Sequence, residues 1–215
     1  LYIVSAYSNP APNTLVIDKQ ICICERAGIT PVIVFNKSDE GDFTEYELIY
    51  RNAGYRTYVI SCKNMSGIDA VKADLPQGIS VFTGNSGVGK STLLNCIAPE
   101  FNIKTGEVSD KLGRGRHTTR HTELYDIGNG RYIADTPGFS AIECEPVPKD
   151  DLAGLFIEFS EYLGKCRFTT CSHVCEKGCA VLEAVAEGKI SRSRHESYCA
   201  MYRDAAQIKS WELKK

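Results

Sequence analysis

The chain has 215 residues and a formal net charge of −2, and 43% of its residues are hydrophobic. This length is sufficient for one full hydrophobic core and a small additional module, and the near-neutral charge gives no global signal of RNA binding. The sequence contains neither a signal-like run nor an apolar run long enough to cross a membrane, so we expect no membrane association.

The first 146 residues alternate between strand and helix patterns. This alternation predicts an α/β domain with a mainly parallel sheet and helices on both faces. A proline-containing linker then marks a boundary, so we expect one domain at 1–146 and a small helical domain at 147–215. Predicted strands lie at 2–5, 31–35, 55–60, 78–83, 123–127 and 131–134. Predicted helices lie at 13–28, 44–52, 92–97, 150–163, 180–188 and 193–213.

A polar motif follows the apolar strand at 31–35. It reads Asn36-Lys37-Ser38-Asp39, which fits the N-K-x-D motif that recognises guanine. The Asp39 carboxylate would accept from the N1–H and N2–H groups of guanine, and adenine offers neither donor on that edge. Asn36 and Lys37 would brace the phosphate loop and cover the base. The next strand ends in a triplet that resembles the S-A-K base-contact loop, namely Ser61, Cys62 and Lys63.

The strongest single motif is a phosphate loop between the strand at 78–83 and a helix. It matches G-x-x-x-x-G-K-[S/T] in full. Its glycines let backbone N–H groups point at phosphate oxygens, and the helix N-terminus adds positive potential. Lys90 would reach the β- and γ-phosphates, and the Ser91 hydroxyl would ligate Mg²⁺. The predicted nucleotide contacts are Gly84, Asn85, Ser86, Gly87, Val88, Gly89, Lys90, Ser91 and Thr92.

The segment 111–122 lies where the first switch of a GTPase should fall. It holds four Lys or Arg residues, two His residues and no acid, so we expect it to order on a nucleotide or an anionic partner. Thr119, with Thr118 as the alternative, would close on Mg²⁺ and the γ-phosphate. His117 is a candidate for orienting the attacking water, and a solvated loop histidine or a contact to RNA phosphate is an equal alternative.

The last strand leads into the sequence Asp135-Thr136-Pro137-Gly138, which fits the D-x-x-G switch. Asp135 would hold Mg²⁺ through water, and the Gly138 N–H would sense the γ-phosphate. Phe139 stands where many small GTPases have a water-orienting Gln. Because its side chain makes no hydrogen bond, another group must position the water.

The order of these motifs reverses that of an ordinary small GTPase, in which the phosphate loop comes first and N-K-x-D comes last. The sequence therefore predicts a circularly permuted GTPase domain. With this order, with Gly-Arg-His-Thr-Thr at 115–119 and with the tail C-x4-C-x-H-x5-C, nearly the whole chain resembles the circularly permuted, small-ribosomal-subunit-dependent GTPases (RsgA/YjeQ).

The resemblance implies a GTP hydrolase that acts late in assembly of the small ribosomal subunit, with turnover stimulated by that subunit. Its partners would be GTP or GDP, the small subunit and its rRNA; we expect a cytoplasmic monomer. That family has an OB-fold before the GTPase domain. The OB-fold is missing here and the chain begins at Leu1 in an apparent interior strand, so we expect a fragment of a longer protein.

Ten cysteines are many for a protein that works where GTP is present and thiols stay reduced, so a metal site is favoured over a disulfide scaffold. The tail offers a Cys₃His set suited to one tetrahedral structural zinc. Its members are Cys166, Cys171, His173 and Cys179. Cys175 is an alternative to His173 in a Cys₄ site, and the family resemblance favours His173. A tail without any metal is the third possibility.

Two other functions remain open from the sequence. The chain could be a GTP-gated module that binds RNA or protein with negligible turnover, which Phe139 would permit, or an assembly GTPase with a different ribosomal target. The tail also carries a set of cations that would either contact RNA or lie on solvated helix faces. These are Lys189, Arg192, Arg194 and Arg203.

Overall fold

A computed structural model describes residues 1–101, 123–135 and 147–207, with the side chains at 123 and 135 outside that description. The strands are β1 (Tyr2–Ala6), β2 (Val32–Asn36), β3 (Arg56–Val59), β4 (Gly78–Thr83), β5 (Glu123–Asp126) and β6 (Arg131–Asp135). The α-helices are α1 (Thr14–Ala27), α2 (Thr44–Asn52), α3 (Ile68–Asp74), α4 (Lys90–Ile97), α5 (Lys149–Leu152), α6 (Ala180–Ala186) and α7 (Arg192–Gln207).

The strands form one six-stranded sheet in the order β3-β2-β1-β4-β6-β5. All neighbouring pairs are parallel except β5 and β6. The predicted α/β fold with a mainly parallel sheet is therefore confirmed. The chain moves outward from β1 to β3 and then returns to place β4 on the other side of β1. Open α/β sheets bind ligands at the carboxyl edge beside such a reversal, where the N-K-x-D motif and the phosphate loop begin.

Capping residues help to set the ends of α1 and α2, whose bounds are close to those predicted from the sequence. The Asn13 side chain accepts from the Val16 N–H at 3.2 Å at the start of α1, and Gly28 ends this helix with a φ of 65°. Asp42 accepts from the Thr44 N–H at 2.9 Å where α2 begins. Side-chain acceptors at a helix start and a left-handed glycine at its end satisfy backbone groups that the helix itself leaves without partners.

The chain divides into two compact units, each made of several segments. The first comprises 1–12, 31–47 and 56–142, and the second comprises 13–30, 48–55 and 143–215. The first unit contains the sheet and a core of aliphatic side chains such as Val34, Leu93 and Ile97. The second contains α1, α6 and α7 and a more aromatic core. Compactness does not show that a unit folds independently as a domain. The domain boundary predicted at residue 146 therefore stays a prediction.

The single helix predicted at 150–163 is wrong. α5 ends at Leu152, and two short 3₁₀ turns follow at Ala153–Leu155 and Ile157–Phe159. Between them Phe156 is extended, with φ −98° and ψ 93°. Phe156 and Phe159 are both fully buried, with ring centroids 5.2 Å apart. Gly154, in the first of these turns, has a low helix propensity, which favours a break here.

α7 begins one residue before its predicted start and is described as far as Gln207, so its predicted end at 213 lies outside the described residues. Within the described part of the chain, no helix combines the length and the apolar character needed to span a membrane.

Candidate nucleotide site and candidate metal centre

Asn36 connects the two loops that the sequence assigns to the nucleotide. It is the last residue of β2, and its side chain is buried. Its Nδ2 donates to the Val88 carbonyl at 2.9 Å, and its Oδ1 accepts from the Cys62 N–H at 3.2 Å. A single buried amide therefore ties the phosphate loop to the loop at 61–63, and the part that Asn36 plays in nucleotide binding stays a prediction.

Two glycines of the phosphate-loop motif are required by close backbone approaches. Gly89 has a φ of 90°, and a Cβ atom there would lie 2.4 Å from Asn36 Nδ2. Gly84 has a φ of 145°, and a Cβ atom there would lie 2.1 Å from the Val4 carbonyl oxygen. Any larger residue at either position would strain the backbone and push the loop away from its neighbours.

Lys90 lies across the phosphate loop. Its Nζ donates to the carbonyls of Gly84 at 2.7 Å and Asn85 at 2.8 Å. Lys90 and Ser91 are the first two residues of α4, so the ammonium and the hydroxyl stand at the positive end of a helix. A cation, a hydroxyl and the N-terminus of a helix at one place favour an anion such as a phosphate group.

Asp39 is held as a charged acceptor. The Ser61 hydroxyl donates to its Oδ1 at 2.6 Å, and Lys63 Nζ lies 3.5 Å from its Oδ2. The hydrogen bond from Ser61 lowers the pKa of Asp39, and Lys63 contributes in the same direction. The carboxylate is therefore ionised near neutral pH, as an acceptor for two N–H groups must be.

Two contacts at this site are made by a segment, just after β1, that none of the sequence motifs contains. Lys37 Nζ donates to the Ser8 carbonyl at 3.0 Å, and a Cβ atom at Gly87 would lie 2.8 Å from the Asn9 carbonyl. The segment after β1 thus adjoins both predicted nucleotide loops. The sequence could have indicated these contacts only through the position of the segment at the carboxyl end of β1, which lies beside the reversal of strand order.

Several predicted site residues lie outside the described residues. They are His117, Thr119 and Gly138, together with the side chain of Asp135. Their assignments stay predictions from the sequence.

The four predicted metal ligands come together in the second unit. Their ligand atoms all lie within 4.8 Å of one another, an arrangement that could hold a metal ion. His173 Nδ1 is 3.5 Å from Cys166 Sγ and 3.4 Å from Cys179 Sγ. Cys175 is exposed and is not part of the group. The geometry therefore favours His173 over Cys175.

Glu176 organises the loop between the second and fourth of these residues. Its carboxylate accepts from the backbone N–H groups of Ser172 at 2.8 Å and of Val174 and Cys175 at 3.1 Å, and also from the Ser172 hydroxyl. Burial alone would raise the pKa of Glu176, but these hydrogen bonds lower it to about 2. A carboxylate with this many donors remains charged and fixes the loop.

The buried environment suits a neutral imidazole. Burial lowers the pKa of His173, so the neutral form that binds metals prevails near neutral pH. The Ala180 N–H donates to Cys166 Sγ at 3.4 Å, a contact that stabilises negative charge on sulfur.

Arg194 is not the exposed cation expected from the sequence. Its side chain is completely buried, donating to Asp18 at 2.6 Å and to the two carboxylate oxygens of Glu158 at 2.7 and 3.0 Å. The guanidinium also lies 4.6 Å from the centroid of the Phe156 ring. Neither RNA contact nor a solvated helix face is therefore possible for this residue. Arg192 and Arg203 on the same helix are exposed, as expected.

Comparison with known proteins matches residues 1–145 to the family described as RsgA GTPase. A protein named small ribosomal subunit biogenesis GTPase RsgA, from Caldanaerobacter subterraneus subsp. tengcongensis, is 44% identical over 208 residues, which are 95% of this chain and 70% of the relative. A protein of the same name from Ruminiclostridium cellulolyticum is 40% identical over 215 residues, covering 99% of this chain and 70% of the relative.

Solved structures show the same likeness. The crystal structure of YjeQ from Thermotoga maritima superimposes with a TM-score of 0.81 at 34% identity, over 97% of this chain and 71% of that one. The crystal structure of YloQ, described as a circularly permuted GTPase, gives a TM-score of 0.77 at 29% identity, over 97% and 68% of the two chains.

Proposed function

The chain belongs to the RsgA GTPase family, and on that premise we propose that it hydrolyses GTP during maturation of the small ribosomal subunit, which stimulates its turnover. The observation that carries the proposal is the buried Asn36 amide, which joins the guanine-recognition motif to the phosphate loop. We further propose that the protein acts as a cytoplasmic monomer that contacts rRNA.

In this proposal the residues at the carboxyl edge of the sheet divide the recognition of GTP between them. Asp39 accepts from the guanine edge, and Ser61 and Lys63 keep it charged. Lys90 exchanges its two loop carbonyls for phosphate oxygens when the nucleotide binds. The N–H groups of the phosphate loop and the N-terminus of α4 bind the remaining phosphate charge.

Mg²⁺ would neutralise charge on the β- and γ-phosphates, and oxygen ligands suit it. Ser91 would bind it directly, Asp135 would hold it through water, and Thr119 would complete the site. The place of Ser91 beside Lys90 at the start of α4 fits this role. Ligation by Asp135 and Thr119 is proposed from the sequence.

We propose that the tail binds one zinc ion through Cys166, Cys171, His173 and Cys179. Three thiolates and one imidazole are typical zinc ligands, and the four atoms already lie close together. Because four protein ligands leave no open position, the metal would be structural and would take no part in hydrolysis.

Replacement of Asp39 by Asn should weaken the binding of GTP and GDP by roughly 10- to 100-fold, the range for a hydrogen bond to a charged group. The amide keeps one acceptor but places a donor against a guanine N–H. Binding of xanthosine diphosphate should improve, because xanthine carries a carbonyl where guanine carries its amino group. Competition titration with fluorescent GDP measures both changes.

Asp42→Asn is the matched control, since Asp42 accepts from Thr44 at the start of α2 and should not touch the base. Equal affinity of the unaltered protein for ATP and GTP would contradict guanine recognition by Asp39.

Replacement of His117 by Ala should lower the stimulated turnover of GTP while leaving affinity for GDP nearly unchanged. Phe139 cannot orient water, and positioning accounts for much of the rate of phosphoryl transfer. The measurement is phosphate release with and without purified small subunits. His121→Ala, in the same segment, serves as the control. If the His117→Ala protein and the unaltered protein showed equal stimulated turnover, His117 would have no part in the mechanism.

Because the Phe139 side chain cannot orient water, the sequence is also consistent with a second function, that of a GTP-gated binding module with negligible turnover. Turnover measured alone, with small subunits and with large subunits separates the two. We expect acceleration by small subunits only. No acceleration by either subunit would favour the binding module, and acceleration by large subunits would favour a different target.

A further inference from the structure

Two side chains of α7 hold the backbone of the loop that carries the proposed metal ligands. His195 Nε2 lies 2.8 Å from the carbonyl oxygen of His173. A carbonyl can only accept, so this nitrogen carries the proton. The Tyr198 hydroxyl donates to the Ser172 carbonyl at 2.7 Å. Both side chains are buried, His195 at 8% and Tyr198 at 1% exposure, so water competes little for either hydrogen bond.

His173, one of the two residues whose carbonyls α7 contacts, has an unusual backbone conformation. His173 has a φ of 59°, in the left-handed region that residues with a Cβ atom avoid. In this conformation its Nδ1 lies 3.4 Å from Cys179 Sγ. An unfavourable backbone conformation persists only where surrounding contacts fix it. On one side Glu176 binds the N–H groups of the loop, and on the other α7 binds its carbonyls.

Each of the two α7 side chains is itself fixed by its neighbours. The Cys199 sulfur lies 3.8 Å from His195 Nδ1 and 3.6 Å from Nε2, so it packs against the imidazole ring, and the His173 carbonyl alone sets the tautomer. The Tyr198 ring packs edge-on against Phe156 at 5.4 Å and Phe159 at 5.1 Å between centroids. Hydroxyl and imidazole therefore keep their directions toward the loop.

We propose that His195 and Tyr198 are positioning residues of the metal centre, which hold the His173 and Ser172 carbonyls so that His173 Nδ1 faces the three thiols. The inference rests on the proposed zinc site and adds residues that the ligand spacing does not indicate. His195 is not itself a ligand in this arrangement, because it lies outside the group of four. Hydrogen-bonding partners that orient metal ligands are typically worth 10- to 100-fold in metal affinity.

The test compares zinc affinity across variants of the whole chain by competition with a chromogenic chelator. Tyr198→Phe removes only the hydroxyl and keeps the ring in the aromatic core. His195→Leu removes the donor, and His195→Gln restores a donor of similar reach. Tyr202→Phe is the matched control, since Tyr202 lies one turn further along α7 and its hydroxyl makes no hydrogen bond to the described residues that would be lost.

We expect the zinc dissociation constant to rise by about 10- to 100-fold in Tyr198→Phe and His195→Leu, to recover in part in His195→Gln, and to stay unchanged in Tyr202→Phe. Cobalt-loaded samples add a spectroscopic readout, since the visible absorption of tetrahedral Co²⁺ should shift in the first two variants only. GDP affinity should be the same in all.

Unchanged zinc affinity and cobalt spectra in both Tyr198→Phe and His195→Leu would overturn the positioning role while leaving the zinc site intact. An equal loss in Tyr202→Phe would overturn it as well, because the effect would then be general to α7. If the unaltered protein bound neither metal, the proposed site and this inference would both be wrong.

Discussion

Replacement of Arg194 by Met should lower the free energy of unfolding by about 3–5 kcal/mol, the range for breaking a buried ion pair from one side. The Arg194 guanidinium is fully buried and donates to one carboxylate oxygen of Asp18 and to both of Glu158. Met fills similar volume against the Phe156 ring but leaves two carboxylates without their cation. Chemical denaturation followed by circular dichroism measures the loss.

The control for this prediction is Arg203→Met, an exposed cation on the same helix. A surface substitution of this kind should change stability by no more than about 0.5 kcal/mol. A variant that replaces Arg194, Asp18 and Glu158 together by apolar residues should recover much of the loss, because no unpaired charge then remains. Equal stability of the Arg194→Met and unaltered proteins would contradict the buried cluster.

The same variant should show a distinct dependence on pH. Burial raises the pKa of Asp18, and the Arg194 charge is the largest of the effects that lower it, so removing Arg194 should raise this pKa further. The folded variant then binds a proton more tightly than the unfolded chain, and its stability falls as pH rises through the folded pKa. The deficit of Arg194→Met should therefore be smaller at pH 5 than at pH 8.

Arg194 also shows where inference from the sequence ends. The strands and their motifs could be predicted, because alternation of apolar residues and the spacing of phosphate-loop residues are local signals. Arg192 and Arg194 look alike in the sequence, yet one is exposed and the other buried. The difference comes from partners 176 and 36 residues away, Asp18 and Glu158, which no local pattern can reveal.

The tail illustrates the same limit in two further ways. The spacing of its cysteines and histidine predicts a metal site but leaves His173 and Cys175 as alternatives. The left-handed backbone at His173, fixed by hydrogen bonds from α7, directs its ring toward the thiols. The break at Phe156 was not predicted either, although Gly154 in the same segment is a poor helix former.

Replacement of Cys171 by Ser should abolish stoichiometric zinc and unfold the tail at lower denaturant than the nucleotide-binding part. Structural zinc supplies about 10–16 kcal/mol of binding free energy in small zinc modules, and much of it appears as folding free energy. A serine hydroxyl is a poor substitute for one of three thiolates around zinc. Metal analysis of the purified protein and stepwise unfolding with and without a chelator measure the effect.

Cys175→Ser is the matched control for Cys171→Ser, because Cys175 lies in the same loop but is exposed and outside the group of four. It should keep one zinc per chain.

The Cys171→Ser protein should retain GDP binding yet lose stimulation by small subunits, since only about ten residues separate Gly138 of the second switch from α5, the first helix of the tail. The circular permutation places this switch, and not the base-binding loop, next to the tail in sequence, so we expect a folded tail to transmit the nucleotide state to the small subunit. A Cys171→Ser protein that kept its zinc and its full stimulation would contradict both the ligand assignment and this coupling.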